Sequence, residues 1–243
     1  MIAALHSPGM ATETVENYLK AVYTLCRESA TGDAAMSRIA GIVGVTTGTA
    51  TTMVKKLAAI RLARYERFGG VTLTAKGEKI AVDVLRRHRI IETFLVETLR
   101  LDWSVVHAEA ERLEHAVSPV VFEALDAHLG RPSVDPHGDP ILDADGKTRE
   151  PRGEPLSSFP AGAKVRVSRI TDQGAAFLSF VAKHGLRPGA HAVVLAVDAS
   201  AQSILVRSKG KRSVAMALSA AARIVCRSAE ECRDGAPRPS GKG

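Results

Sequence analysis

The stretch from residue 34 to residue 77 constrains the fold most. "AAMSRIAGIVGV" and "TTGTATTMVKKLAAIRL" are two short amphipathic segments joined around Gly44 to Thr46, and "ARYERFGGVTLTAKG" follows as two strands turning on Phe-Gly-Gly. Ahead of them, from Thr12 to Arg27, Val15, Leu19, Val22, Tyr23 and Leu25 recur at mostly helical spacing. A helix, two further short helices about a tight turn and a two-stranded wing, in that order, predict a winged helix-turn-helix.

On the second short helix, Ala50, Met53, Val54 and Leu57 share one face roughly 100° wide at 100° per residue, and that face packs inward. Gly48, Thr51, Thr52 and Lys55 project oppositely, with Thr49 and Lys56 on the flank. Small hydroxyl side chains let a helix sit deep in a major groove, reaching base edges and thymine methyls, while lysines meet phosphates. The expected DNA-contacting set is Arg38, Thr46, Thr47, Gly48, Thr49, Thr51, Thr52, Lys55, Lys56 and, on the wing, Arg67, with Arg64 adding a backbone contact. A formal charge of +7 suits an anionic partner.

A long helix is expected from about Ala75 through "EKIAVDVLRRHRIIETFLVETL", and a second from Trp103 to about His128, kinked or divided at Pro119. Residues 131 to 160 are rich in Pro, Gly and Asp without periodicity and read as a linker or irregular loop. Beyond it, "AKVRVSRI", "AHAVVLAV", "SILVRSKG" and "RSVAMAL" read as strands and "GAAFLSFVAKHGLRPG" as a short helix, which predicts a small SH3-like β-barrel. The last residues, "RDGAPRPSGKG", read as a disordered tail. The fold class is therefore mainly α with small β. The expected boundaries are 10–74 for the DNA module, 75–150 for a helical domain with a trailing loop, 156–228 for the barrel and 229–243 for the tail.

Three cysteines, Cys26, Cys226 and Cys232, make neither a CxxC pair nor an even-numbered framework, which fits reduced thiols in a cytoplasmic protein. The opening "MIAALHSPGM" lacks a signal-peptide pattern, and no run approaches 18 apolar residues, so no membrane association is expected.

The helical domain carries "HAEAERLEHAVS", residues 107 to 118. With His107 at 0° on a helical wheel, Glu111 falls at about 40°, Glu114 at about −20° and His115 at about 80°, leaving Glu109 outside at about 200°. These four emerge beside the apolar stripe of Ala110, Val117, Val121 and Ala124, where uncompensated carboxylates are costly. His88 and Glu92 have i, i+4 spacing on the preceding helix, and Glu16 and Asn17 lie in the first turns of the first. One such set is ordinarily a solvated or salt-bridged face; two sets on neighbouring helices point to metal. Carboxylates, imidazoles and an amide without a thiolate suit Mn²⁺ or Fe²⁺, and by affinity order Zn²⁺ or Co²⁺ would bind in vitro. No HExxH, Gly-rich phosphate loop or nucleophile elbow occurs, so an enzyme such as a Mn²⁺ or Zn²⁺ hydrolase is the weaker reading. Cys26, on the apolar first helix, is read as core.

The motifs "TVENYLKAVYTL", "TTGTATTMVKKLA", "RRHRIIETFLVETL", "VHAEAERLEHAVS", "PHGDPI" and "HGLRPG" together resemble the diphtheria toxin repressor family of metal-dependent transcriptional regulators, particularly its manganese-responsive branch, over roughly residues 12 to 228. The last of these looks like part of an FeoA-type SH3 module. The resemblance implies that Asn17, Glu111, Glu114 and His115 hold a primary, activating metal, and that His88, Glu92 and His107, with Asp172 or Gln173 from the barrel, form an ancillary site. Iron-responsive members typically have cysteine where Glu111 stands, so Glu111 favours Mn²⁺ over Fe²⁺. Asn17 stands where methionine or aspartate is usual. Lys20 replaces a glutamate that completes a paired-metal site in the bacillus-type regulator, which favours two separated sites. The function so implied is repression of metal-uptake genes by a homodimer bound to a palindromic double-stranded operator.

Overall fold

The computed structural model describes residues 12–66, 69–143 and 153–229. Arg67 and the tail after Ala229 lie outside the described residues. Backbone contacts divide the chain into two units. Within the described residues the first comprises 12–66, 69–88, 114–117 and 142–143, and the second comprises 89–113, 118–141 and 153–229.

In the first unit α1 spans Glu13–Glu28. It starts where the Thr12 hydroxyl accepts from the Val15 N–H at 3.4 Å, and Glu13 and Glu16 in its first turn face the positive end of the helix dipole. Helix α2, Met36–Val43, stops at Gly44, whose φ of 74° is the left-handed conformation a helix C-terminus favours. Helix α3, Thr47–Ala59, is capped by the Thr46 hydroxyl, which accepts from the Thr49 N–H at 3.2 Å. Strands β1, Ala63–Tyr65, and β2, Val71–Leu73, pair antiparallel as the wing, and Val71 also bridges to Ala34. Leu19, Val22 and Leu25 of α1, Ile39 of α2 and Ala50, Val54 and Leu57 of α3 are buried together, as the apolar spacing requires. A Cβ on Gly77 would stand 1.9 Å from the Leu62 carbonyl oxygen, so glycine alone lets the wing turn directly into the next helix.

That helix, α4, runs unbroken over Ala75–Glu97. The helix expected over 103 to 128 is two: α5, Val106–Leu113, and α6, Pro119–His128. The break has a local cause. Pro119 has no N–H to continue an α-helical ladder and sits at the first turn of α6, where the Ser118 hydroxyl caps by accepting from the Val121 N–H at 3.4 Å. Glu114 and His115 therefore lie in a turn past α5 and off its helical arc.

The second unit contains a six-stranded antiparallel sheet in the order β3-β8-β4-β5-β6-β7. Its strands are β3, Glu154–Pro155; β4, Lys164–Ile170; β5, His191–Asp198; β6, Ser203–Ser208; β7, Val214–Ala217; and β8, Ile224–Ser228. Register shifts between Val167 and Arg169 and between Val194 and Ala196 bend β4 and β5. The sheet curls onto α7, Ala175–Lys183, and the short α8, Leu218–Ala221, about a core that includes Val165, Val167, Leu178, Val181, Ile204 and Ile224. The four strands anticipated from alternation are present. Two others, β3 and β8, went unanticipated because one has two residues and the other sits at the margin of the tail.

Residues 132 to 141, read from sequence as a linker or irregular loop, are irregular but not solvated. Val134 bridges to Pro140, the Ile141 N–H donates to the Ser133 carbonyl and the Asp135 N–H to the Asp139 carbonyl, both at 2.9 Å. Asp135, His137 and Asp139 are buried. Gly138, at φ 87°, is pressed so close that an added Cβ would lie 2.1 Å from the Ser168 carbonyl oxygen.

Candidate metal centre and nucleic-acid interface

A polar cluster occupies the interior of the first unit. His115 sits between two neighbours on α1: Nδ1 lies 2.5 Å from Glu16 Oε2 and Nε2 2.9 Å from Asn17 Oδ1. Glu114, fully buried, accepts from Lys20 Nζ at 2.5 Å through one oxygen and pairs with His88 Nδ1 through the other. Arg87 braces the group, donating to the Glu114 carbonyl at 2.7 Å and to Glu16 and Asp83 at 3.3 and 3.0 Å. Burial by itself pushes the Glu114 carboxyl up, but His88 and Lys20 outweigh it and hold it below the usual carboxylate range.

Two carboxylates, an amide oxygen and two imidazoles are a donor set for a first-row divalent metal of oxygen and nitrogen preference. A metal at His115 would take the place of one of its ring-nitrogen hydrogen bonds, so binding competes with protons. Glu16 and Lys20 are the members the sequence did not assign to the site. Glu16 was noted only as a neighbour of Asn17, although its spacing from Asn17 and Lys20 already put all three on α1.

The remaining sequence-derived candidates fall in the second unit. His107 Nδ1 is 3.1 Å from Glu92 Oε1, and its Nε2 is 3.8 Å from Glu111 Oε1. Glu92 is fully buried and Glu111 half exposed. Asp172 accepts from Arg223 at 2.6 Å and from the Gly174 N–H at 2.9 Å, while Gln173 donates to Asp139 at 2.7 Å. Both barrel candidates thus have partners within their own unit. Glu92 also meets the buried loop, its Oε2 lying 3.7 Å from His137 Nδ1. Burial, with Asp139 and Glu92 close by, pushes the Asp135 carboxyl up to about 8. For His137 burial works to lower the imidazole value, and the facing Glu92 and Asp135 carboxylates override it and raise it.

On α3 the outward face is as the helical wheel requires. Thr46, Thr47, Gly48, Thr49, Thr52, Lys55 and Lys56 are exposed, and Thr51 is half-buried. The Thr51 and Thr52 hydroxyls donate back to the Thr47 and Gly48 carbonyls at 2.7 and 3.0 Å, which leaves their oxygens to accept and their methyls to face outward. Arg38 donates to Glu28 at 2.9 Å in an exposed pair. The thiols stand apart from the metal donors: Cys26 packs against the first core with Sγ 3.3 Å from the Val71 carbonyl, and Cys226 is buried in the barrel. Among the described residues no helix is long and apolar enough to cross a membrane.

Three family models match in succession. The iron-dependent repressor N-terminal DNA-binding domain matches residues 10–71, the iron-dependent repressor metal-binding and dimerisation domain residues 74–143, and the FeoA domain residues 154–228. The chain is 35% identical over 162 residues to the iron-dependent repressor IdeR of Mycobacterium tuberculosis, covering 64% of this chain and 70% of that protein. It is 35% identical over 117 residues to the HTH-type transcriptional regulator MntR of Shouchella clausii, covering 48% of this chain and 78% of that one. Among solved structures, a manganese-dependent transcriptional repressor in complex with manganese superposes with a TM-score of 0.80 at 36% identity, over 88% of this chain and 99% of that one. The manganese regulator SloR superposes at 0.70 with 30% identity, over 88% and 98%. Order of modules, fold and sequence agree over most of the described chain: it belongs to the diphtheria toxin repressor family of metal-dependent transcriptional regulators, whose members are not enzymes.

Proposed function

We propose that this chain is a manganese-activated repressor that binds a palindromic double-stranded operator as a homodimer and controls metal-uptake genes in the cytoplasm. The observation that carries the reading is His115 held between Glu16 and Asn17, a buried donor cluster on the same α1 that precedes the reading head α2–α3. Asn17, Glu111, Glu114 and His115 are the proposed primary ligands, and His88, Glu92 and His107 the ancillary ones, with Asp172 or Gln173 contributing only after leaving their present partners. Thr46, Thr47, Gly48, Thr49, Thr51, Thr52, Lys55 and Lys56 face the DNA, with Arg38 and Arg67 on the backbone. The domains are assigned as 10–74, 75–150 and 156–228, with 229–243 as a tail. A bound divalent ion supplies charge neutralisation and a fixed link between α1 and the 114–115 turn. If metal favours the DNA-competent arrangement, DNA favours metal by the same coupling free energy.

Manganese is preferred because the donor set holds no thiolate, Glu111 being a carboxylate, and the manganese-dependent repressor of known structure is similar over most of its length. The iron-responsive alternative has support in the 35% identity to IdeR. Operator-binding titrations at defined free Mn²⁺, Fe²⁺ and Zn²⁺ separate the two: activation by Fe²⁺ at equal or lower free concentration than Mn²⁺ would overturn the preference. The double variant Glu111→Ala, His115→Ala tests the sensor itself, since undiminished metal-independent operator binding in that variant is incompatible with it.

A further inference from the structure

The buried loop after α6 carries chemistry that neither regulator site uses. Glu92, Asp135 and His137 each direct one donor atom into a common space, all within 4.8 Å of one another, and all three side chains are fully buried. His137 is oriented by its far nitrogen: Nε2 donates to the Trp103 carbonyl at 3.0 Å, and the ring stacks on Trp103 at 5.4 Å between centroids. That bond puts the proton on Nε2 and turns the Nδ1 lone pair toward the two carboxylates. Nδ1 has no hydrogen-bond partner among the described residues, and neither has Asp135 Oδ2. The 3.7 Å between Nδ1 and Glu92 Oε2 is too long for a hydrogen bond and fits the spacing of two ligands on one ion about 2.1 Å from each.

The other oxygen of Asp135 builds the loop. Oδ1 accepts from the His137 and Asp139 N–H groups at 2.8 and 2.9 Å, which fixes the carboxylate and leaves Oδ2 for a cation. Arg89, the nearest cation, stands 3.9 Å from Oδ2, beyond hydrogen-bonding range, and donates to the Pro140 carbonyl. Asp139 is held by Arg169 at 2.5 Å and by Gln173 and takes no part.

We propose that Glu92 Oε2, Asp135 Oδ2 and His137 Nδ1 form a third divalent-metal site, selective for first-row ions of oxygen and nitrogen preference. Its ligand set shares only Glu92 with the ancillary set, and because Glu92 Oε1 faces His107 the carboxylate can bridge two ions. The site rests on donor geometry and stands or falls independently of DNA regulation.

The test uses the full chain, titrated with Mn²⁺ and separately Zn²⁺ by equilibrium dialysis with metal quantification, beside Asp135→Asn and His137→Phe. Asparagine keeps the Oδ1 acceptor that shapes the loop, and phenylalanine keeps the stack on Trp103. Each folded variant is expected to bind one equivalent fewer per chain than wild type. In wild type, ¹⁵N spectra should show the His137 Nδ1 resonance moving to the metal-bound range on Zn²⁺ addition. Variants that fold and keep wild-type stoichiometry, or a His137 resonance that Zn²⁺ leaves in place, overturn the site. Should either variant fail to fold, the wild-type resonance alone decides. Loss of the equivalent from a chain whose operator binding ignores metal would sink the regulator reading and leave this site standing.

Discussion

Lys20 Nζ lies 2.5 Å from Glu114 Oε1, so an ammonium group already occupies one side of the carboxylate proposed as a metal ligand. A metal must compete with it. Lys20→Met removes the competing charge while keeping the apolar stem, and divalent-metal affinity in a chelator-competition titration should rise about tenfold. Unchanged or weakened affinity would show that Lys20 moves aside at no cost.

The same pair sets a dependence on pH in the metal-free protein. Because the folded Glu114 pKa is lowered, its contribution to stability is complete above the unfolded value, near 4.3, and is lost as pH falls through the lower folded value. Glu114→Gln should cost about 3 kcal/mol at neutral pH by leaving Lys20 and His88 without their partner, and the difference from wild type should shrink at acid pH. Urea denaturation at several pH values measures both.

On the DNA side, Lys55→Ala and Lys56→Ala should each weaken operator and non-operator binding alike and reduce the slope of log K against log salt by about 1. Thr52→Val behaves differently. It retains a methyl and loses the acceptor oxygen, so it should relax sequence preference while leaving the salt slope unchanged. Fluorescence anisotropy across a salt series separates the two effects.

Gly138→Ala places a methyl against the Ser168 carbonyl at a φ that L residues rarely adopt, and it should destabilise the second unit by about 2–4 kcal/mol. The diagnostic reading is hydrogen exchange. Protection should fall at Gly138 and Asp135, whose N–H groups donate within the loop, and persist in β5 and β6.

Burial pushes the Cys226 thiol up to about 12, so it stays protonated through the physiological range. In native protein it should resist iodoacetamide at pH 8 and react at the rate of a free thiol only after unfolding. Rapid native labelling at Cys226 would contradict its place in the barrel core.

The helical modules and the main strands were legible because their apolar residues carry the 3.6 and 2.0 periods of packed faces, from Leu19 and Val22 in α1 to Val165 and Val167 in β4. The reading face of α3 followed from the same wheel. Where the wheel misled was at Glu114 and His115: a charged run reads as helix until Ser118 and Pro119 are weighed as a start signal, and then the two residues fall in a turn. The buried loop was opaque for a different reason. Its residues are those of a solvated turn, and only the tertiary placement of Trp103, Glu92 and Ser168 around Asp135, His137 and Gly138 makes an interior of them. Lys20 was legible as a departure from its relatives, yet its partner was not, because 94 residues separate it from Glu114.

That separation also bears on synthesis. Helix α1 leaves the ribosome with Glu16, Asn17 and Lys20 on it, and the groups that complete them, Glu114 and His115, follow 94 to 99 residues later. At ordinary elongation rates the delay is about 5 to 20 s. Through that interval the nascent DNA-reading module can form its own apolar core while the polar side of α1 stays hydrated and without its later partners. The amino-terminal module is thus assembled first and joined to the sensing turn afterwards.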